Sequence, residues 1–307
     1  MKINKLLVVA LSSLLLASLY ASCTYDYFVD ETNYRVYVPE VANGLVSDCY
    51  VAVYDENGHL VRVRHAGWPN DNDPRTAIGI FSFHLQPGKY TTYCYANVGD
   101  MQLTGSKSVD ESFLAMKELT PSSGNPREHA YAQPSDVVFQ KLTPEIGKTL
   151  QVKVDTTSLE KYVGRITVRF KNMPVSLSQV ARVQLEATGV ATQQYFHRDT
   201  LTSRFTKDDY LFNEIPLSPG ATASAWEFDR RYFPSIDGQM MRLNLYFIGG
   251  SGQVLCAIPV EVVDVNTGLP LSLLHGQHLV IEVDNYLVIG ISLIGWDDGI
   301  EGSDREI

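Results

Sequence analysis

CYVAVYDENGHLVRVRH, residues 49–65, reads as a single β-hairpin. Its apolar side chains recur with a period of two rather than 3.6, the pattern of a strand with two different faces. Asp55-Glu56-Asn57-Gly58 breaks the run with the polar and glycine chemistry that a tight reversal requires. The return strand then passes through Leu60, Val61 and Val63. Working outward, AIGIFSFHLQPGKYTTYCYANV (77–98) repeats the plan, with Pro87-Gly88 as the corner between two strands. Upstream, YRVYVPEV (34–41) alternates Tyr34, Val36 and Val38 against Arg35 and Tyr37. The 17 tyrosines suit pleated, half-buried surfaces.

The pattern changes between Asp110 and Gly147. DESFLAMKEL (110–119) has the composition for one or two helical turns, and TPSSGNPREHAYAQPSD (120–136) is a proline- and serine-rich loop. Strands resume at DVVFQKL (136–142) and TLQVKVD (149–155). A second series follows: GRITVRFKNMP (164–174), VARVQLEA (180–187), TSRFTKDDYLFNEI (202–215), RLNLYFIG (242–249), QVLCAIPVEVVDV (253–265) and HLVIEVDNYLVIGISLIGW (278–296). Asp284-Asn285 supplies a tight turn within the last of these. Short strands separated by turn residues, with few helix signals, predict an all-β chain of two tandem β-sandwiches. We place the division near Thr157, giving domains 23–157 and 158–307. No period of 20 to 50 residues recurs, which excludes a solenoid or propeller.

The N-terminus has a different chemistry. Lys2 and Lys5 precede an apolar run, Leu6 to Leu19, that is too short to span a bilayer. LYASC (19–23) then sets Ala21 and Ser22 before a cysteine. This resembles the lipobox of bacterial lipoproteins, so residues 1–22 are expected to be a lipoprotein signal peptide and Cys23 the acylated first residue of the mature chain. Each buried acyl CH₂ contributes roughly 0.8 kcal/mol, so two or three chains hold a protein durably where one does not. Thr24, which is not acidic, is compatible with onward transport to an outer membrane.

Loss of the signal removes two lysines, leaving 23 Lys+Arg against 35 Asp+Glu, a net charge of −12. An acidic chain without a basic cluster is a poor nucleic-acid binder. With 45% hydrophobic residues it can fill cores, which excludes wholesale disorder. Cys49, Cys94 and Cys256 lie in alternating apolar stretches, where cysteine serves as a small buried hydrophobe. A Cys49–Cys94 disulfide is the alternative in an exported chain.

Catalytic groups are hard to find. The histidines (59, 65, 84, 129, 197, 275 and 278) are scattered, and His275 with His278 reads as a polar loop rather than a metal site. GGSGQ (249–253) lacks the last glycine of a nucleophile elbow and lies between strands, as a turn does. WPNDNDP (68–74) offers Asp71 and Asp73 without the glycine and distal glutamate of an EF-hand, and WDDGIEGSDRE (296–306) is equally unspecific. We therefore expect no enzyme activity, no metal and no cofactor.

Taken in order, CTYDYF (23–28), VAVYDENGHLV (51–61), LQPGKYTTYCYANV (85–98), PSDVVF (134–139), YVGRITVRFKNMP (162–174) and IEVDNYLVIGISLIGWDDG (281–299) resemble the FimB-type fimbrial anchor and minor-subunit lipoproteins of the Bacteroidales. The resemblance implies two transthyretin-like, Greek-key β-sandwiches, a type V fimbria and subunits joined by strand exchange. It implies fimbrial shaft or accessory subunits as partners, and the cell outer membrane as the site of attachment. An acylated anchor must keep its first strand, YRVYVPEV, because removing it would remove Cys23. The strand offered to a neighbour should then be C-terminal. LVIGISLIGW (287–296) is the candidate donor, with Leu287, Ile289, Ile291 and Leu293 on one face and Val288, Ile294 and Trp296 on the other. Apolar side chains on both faces suit a strand buried on both sides, which is equally the signature of a central strand in the second sandwich. A surface glycan-binding lipoprotein is the alternative, with Trp68 and Trp226 in loop-like sequence as stacking residues; a fimbrial tip adhesin would share the fold.

Overall fold

The structure is a computed structural model that describes residues 32–46, 48–66, 78–99, 101–104, 107–120, 130–148, 151–172, 179–196, 210–216, 226–235, 240–264 and 266–296. The signal peptide, Cys23, Trp68, the Asp71/Asp73 loop and the acidic run after Trp296 lie outside the described residues.

The first part of the chain forms β1 (Tyr34–Tyr37), β2 (Tyr50–Asp55), β3 (Leu60–His65), β4 (Ile80–Phe83), β5 (Gly88–Ala96), β6 (Gln102–Thr104) and β7 (Phe113–Ala115). It continues with β8 (Glu118–Leu119), β9 (Ala130–Tyr131), β10 (Val138–Leu142), β11 (Glu145–Ile146), β12 (Lys153–Thr156) and β13 (Glu160–Lys161). Then come β14 (Gly164–Asn172), β15 (Val180–Thr188), β16 (Gln193–Tyr195), β17 (Tyr210–Pro216) and β18 (Trp226–Tyr232). The last are β19 (Arg242–Gly249), β20 (Val254–Glu261), β21 (Gln277–Asp284) and β22 (Leu287–Gly295).

The opening hairpin forms as its residues dictate. The Asp55 carboxylate accepts the amides of Asn57 and His59, each at 2.9 Å. Gly58 takes a φ of 77°, a conformation open to glycine at little cost. The Pro87-Gly88 corner carries the chain between sheets rather than closing a hairpin: β4 lies in the order β12-β1-β4, and β5 in β13-β10-β5-β2-β3. These sheets face each other across Tyr34, Val36, Val51, Val53, Phe81, Phe83, Cys94 and Ala96. Burying each large apolar side chain of this kind contributes roughly 1.5–3 kcal/mol.

The sequence pattern suggests half-buried strands here, but β2 and β5 are buried on both faces. Val51, Val53 and Cys94 face the first core, whereas Tyr54, Tyr93 and Tyr95 point into a second, larger one. That core also holds Ile166, Val168 and Phe170 of β14, Leu185 of β15, Leu245 and Phe247 of β19, and Ile281 and Val283 of β21. Two further sheets enclose it, in the orders β18-β14-β21-β22 and β20-β19-β15-β17-β9-β8. The tyrosines of the first part thus seal against the second, with Tyr95 stacked on Phe196 at 4.9 Å.

The helical expectation for DESFLAMKEL is corrected. Val109–Glu111 makes one 3-10 turn, after which Phe113–Ala115 pairs with both β6 and β16. Leu114 is fully buried there, so long-range pairing and burial override a local preference. Sheet membership also crosses the chain's midpoint, because β9 pairs in parallel with β17.

Cys49, Cys94 and Cys256 are free, buried thiols. Register explains why Cys49 and Cys94 are not bonded: Cys94 stands opposite Val51, which leaves Cys49 on the diagonal. Diagonal neighbours lie about 7–8 Å apart, too far for the roughly 3.5–4.5 Å between Cβ atoms of a disulfide.

Candidate functional site

β21 and β22 close the chain as an antiparallel hairpin. Asn285 sits at its turn with φ 58°, a left-handed conformation that asparagine tolerates better than most residues. Asn172 fixes this turn from β14: its carbonyl accepts the Asn285 amide at 2.9 Å, and its side-chain amide donates to Asp284 at 2.7 Å. β22 has β21 on one side, and among the described residues it is the sheet's edge.

The expected row of Leu287, Ile289, Ile291 and Leu293 is broken. Register shifts between Glu282 and Val283, so Val288 pairs with Val283 while Gly290 pairs with Glu282, and Ile289 is the residue in excess. This bulge reverses the alternation. Val288, Ile291 and Leu293 align with the core-facing Val283, Ile281 and Leu279; Leu287 aligns with Asp284 on the opposite face. The central-strand reading, with burial on both faces, is also corrected. Leu287 is 69% exposed, Ile289 45% and Leu293 38%, with Tyr286 beside them at 53%. Val288, Ile291 and Trp296 pack partly onto the core.

An exposed edge presents unpaired N–H and C=O groups to any passing strand, and proteins usually blunt such edges with charge, proline or brevity. The other edges follow that rule. β20 carries Pro259; β18 carries Glu227, Asp229, Arg230 and Arg231, with Arg169 paired to Glu227 at 3.1 Å and Arg165 to Asp229. β3 carries Arg62 and Arg64, while β12 carries Lys153 and Asp155, paired at 3.1 Å. β4 is neutral but four residues long, β6 and β16 have three residues each, and β8 and β13 have two each. β22 has nine residues without a charge or a proline. It is a long, apolar, unprotected edge.

The first strand has the opposite character. β1 lies between β12, to which it is parallel, and β4, to which it is antiparallel. Tyr34 and Val36 are fully buried, and the Tyr34 hydroxyl donates to Thr92 at 3.4 Å and Asp155 at 3.3 Å. Burial pushes the Tyr34 phenol well above its ordinary pKa, so it remains a donor.

Trp226 is no open platform. It is half-buried and stacks on Phe170 at 5.3 Å, with Phe228 at 5.4 Å. Trp296 lies beneath the Lys161 ammonium, 5.1 Å from the ring centre. GGSGQ is the β19–β20 turn, closed by the Gly249 amide to the Gln253 carbonyl at 2.9 Å. His275 and His278 have separate partners: His275 stacks on Tyr162 at 4.5 Å, and His278 hydrogen-bonds the Thr167 hydroxyl at 2.6 Å. Among the described residues there is no group of three His, Cys, Asp or Glu side chains placed to hold a metal ion. No described helix is long and apolar enough to cross a membrane.

The fold is shared with solved structures from Bacteroides. A candidate adhesin of Bacteroides ovatus is 14% identical over 81% of this chain and 90% of its own, with a TM-score of 0.57. A candidate polysaccharide-binding protein of Bacteroides thetaiotaomicron is 14% identical over 86% of this chain and 96% of its own, with a TM-score of 0.54. The fimbrial anchor protein Mfa2 of Porphyromonas gingivalis is 13% identical over 86% of this chain and 97% of its own, with a TM-score of 0.47. No curated protein matches the sequence. Residues 22–297 match the family model of the fimbrillin-A associated anchor proteins Mfa1 and Mfa2, and the chain belongs to that family.

Proposed function

We propose that the chain is the lipid-anchored subunit that attaches a fimbria to the outer membrane. In this reading residues 1–22 are a signal peptide, Cys23 carries the acyl chains, and two transthyretin-like sandwiches divide near Thr157. The observation that carries the reading is β22, with its uncharged, proline-free edge and the exposed Leu287, Ile289 and Leu293. A strand held by one ladder in its own sheet gains a second ladder, and buries these side chains, when exchanged with a shaft subunit. Ile291 would enter the same interface. Support also comes from the family match, which begins at residue 22, beside Cys23. The central place of β1 agrees with a first strand that is kept. Nothing in the described cores suggests a catalytic assembly, and the proposed role is structural rather than enzymatic.

Replacing Cys23 by Ala tests the membrane half of the proposal. Fimbriae should appear in the medium, at normal length and with this subunit still attached. Fimbriae that stay on cells bearing Cys23→Ala would refute lipid anchoring.

A further inference from the structure

The linker that follows β9 ties together two residues of like charge. The Lys117 carbonyl accepts the Ala132 amide at 2.9 Å. The Gln133 side-chain carbonyl accepts the Arg231 amide at 3.2 Å, and the Pro134 carbonyl accepts Arg231 Nε at 3.1 Å. Lys117, just before β8, and Arg231, on β18, thereby line one cleft of about 350 Å³. Its other polar side chains are Gln133 and Ser135. Gly99 and Met101 complete the wall: the Ser135 amide donates to Met101 Sδ at 3.4 Å, and a Cβ at Gly99 would collide with Ser135 Oγ.

The acids near this cleft are already engaged. Asp48 accepts the amides of Asn97 and Val98 at 2.6 and 2.8 Å. Asp136 holds Lys161 at 2.6 Å, and Asp229 holds Arg165 and the Thr167 hydroxyl. Arg165 stands opposite Arg231 in the register of β14 with β18, which adds to the positive field. Among the described residues Lys117 and Arg231 make no ion pair, and no carboxylate lines the cleft. Two cations thus share one space in a chain whose net charge is −10. A guanidinium presents a planar fork that matches two oxygens of one anion, and such charge-assisted bonds are about twice as strong as neutral ones. The Pro134 bond fixes Nε and leaves the two terminal nitrogens of that fork to a ligand. The Lys117 ammonium, the Ser135 hydroxyl and the Gln133 side-chain amide nitrogen are further donors.

We propose that this cleft binds a phosphate monoester carried on a ligand the size of one sugar ring. Two positive charges match the phosphate group, which carries about −1.5 to −2 near pH 7. A carboxylate satisfies only one of them, and a neutral sugar leaves both without an anion. Ligand pockets run from about 300 to 1,000 Å³, so this space lies at the small end and takes one ring rather than a chain. β18 is the edge of its sheet opposite β22, so the site does not depend on what β22 meets.

The test is titration calorimetry and saturation-transfer NMR on the full chain, at low ionic strength and neutral pH, in an uncharged detergent without a sugar headgroup. The probes are glucose 6-phosphate, glucuronate and glucose. Glucose 6-phosphate should bind with a dissociation constant on the order of 1 mM, and glucuronate about tenfold more weakly. Glucose should show no binding, and added salt should weaken the phosphate. Lys117→Met changes an exposed side chain and should cost about tenfold in affinity with the melting temperature in place. Arg231→Lys keeps the charge but loses the fork, and should also weaken binding. If the Arg231 variant melts early, Lys117→Met alone decides. No binding of glucose 6-phosphate at tens of millimolar, glucose or glucuronate binding as tightly, or unchanged affinity in Lys117→Met would overturn the proposal.

Discussion

The edge of β22 offers the sharpest test of how this chain meets a partner. Consider Leu287, Ile289 and Leu293 changed together to Ser. Their exposures of 69%, 45% and 38% amount to about one and a half fully exposed side chains. At roughly 2 kcal/mol for each apolar side chain buried, covering them contributes about 3 kcal/mol to an interface. With 1.4 kcal/mol per factor of ten, the triple variant should bind a shaft subunit roughly a hundredfold more weakly. The backbone ladder to β21 is untouched, but the buried remainder of the three side chains, again about one and a half, costs the fold about 3 kcal/mol on the same scale. Melting temperature should therefore fall by about 6–12 °C. The assay compares cell-bound with shed fimbriae after gentle shearing, at matched surface levels of this subunit. Retention as strong as in the unaltered chain would refute the contribution of the edge. Shedding only at temperatures where the variant has begun to unfold would also refute it, since loss of the sheet and not of the edge would then explain the release.

Three further outcomes follow from the packing. A Cβ at Gly164 would lie 2.4 Å from Leu273 Cγ, inside the core, so Gly164→Ala should lower stability by about 1–3 kcal/mol, read as a drop in the urea midpoint. Pro259 removes a donor from the open side of β20, so Pro259→Val should increase self-association, measured by light scattering, with little change in melting temperature. Burial pushes the Cys49 thiol up to about 12, with Asp48 and Glu40 adding to the effect, and raises Cys94 well above its usual value. Both thiols should resist maleimide at pH 8 until guanidinium unfolds the chain. Because the folded state holds those protons more tightly, stability is intact below the ordinary thiol range near pH 9 and falls as pH rises toward 12.

What the residues reveal on their own depends on the range of the interaction involved. The 49–65 hairpin is legible because Asp55, Asn57 and Gly58 settle it within a few residues. The segment around Leu114 misleads because its partners, Leu103 and Gln194, lie outside any local window. Tyr93 and Tyr95 read as half-buried because a tyrosine suits both a wet surface and a dry one; only Phe196, a hundred residues on, decides between them. The apolar composition of β22 is plain in the sequence, but the bulge at Ile289 is a property of its pairing with Glu282 and Val283. The packing of Phe139, Tyr162, Phe196 and His275 on one another is less visible still: they share no spacing, and each alone is an ordinary aromatic position.

The contrast between the two ends of the chain follows from how a β-sheet resists change. Removing β1 would strip ladders from β12 and β4 at once and open the core around Tyr34 and Val36. Releasing β22 breaks one ladder, at a strand whose side chains are already half in water. Each lost backbone pair costs about 0.5–1.5 kcal/mol net, and at β1 the loss of buried Tyr34 and Val36 adds to it. The first strand is thus the more expensive to surrender and the last the cheaper. If the chain is tethered through its N-terminus as proposed, that ordering leaves the end beyond the tether free to rearrange, while the sheet nearest the tether keeps its shape under load.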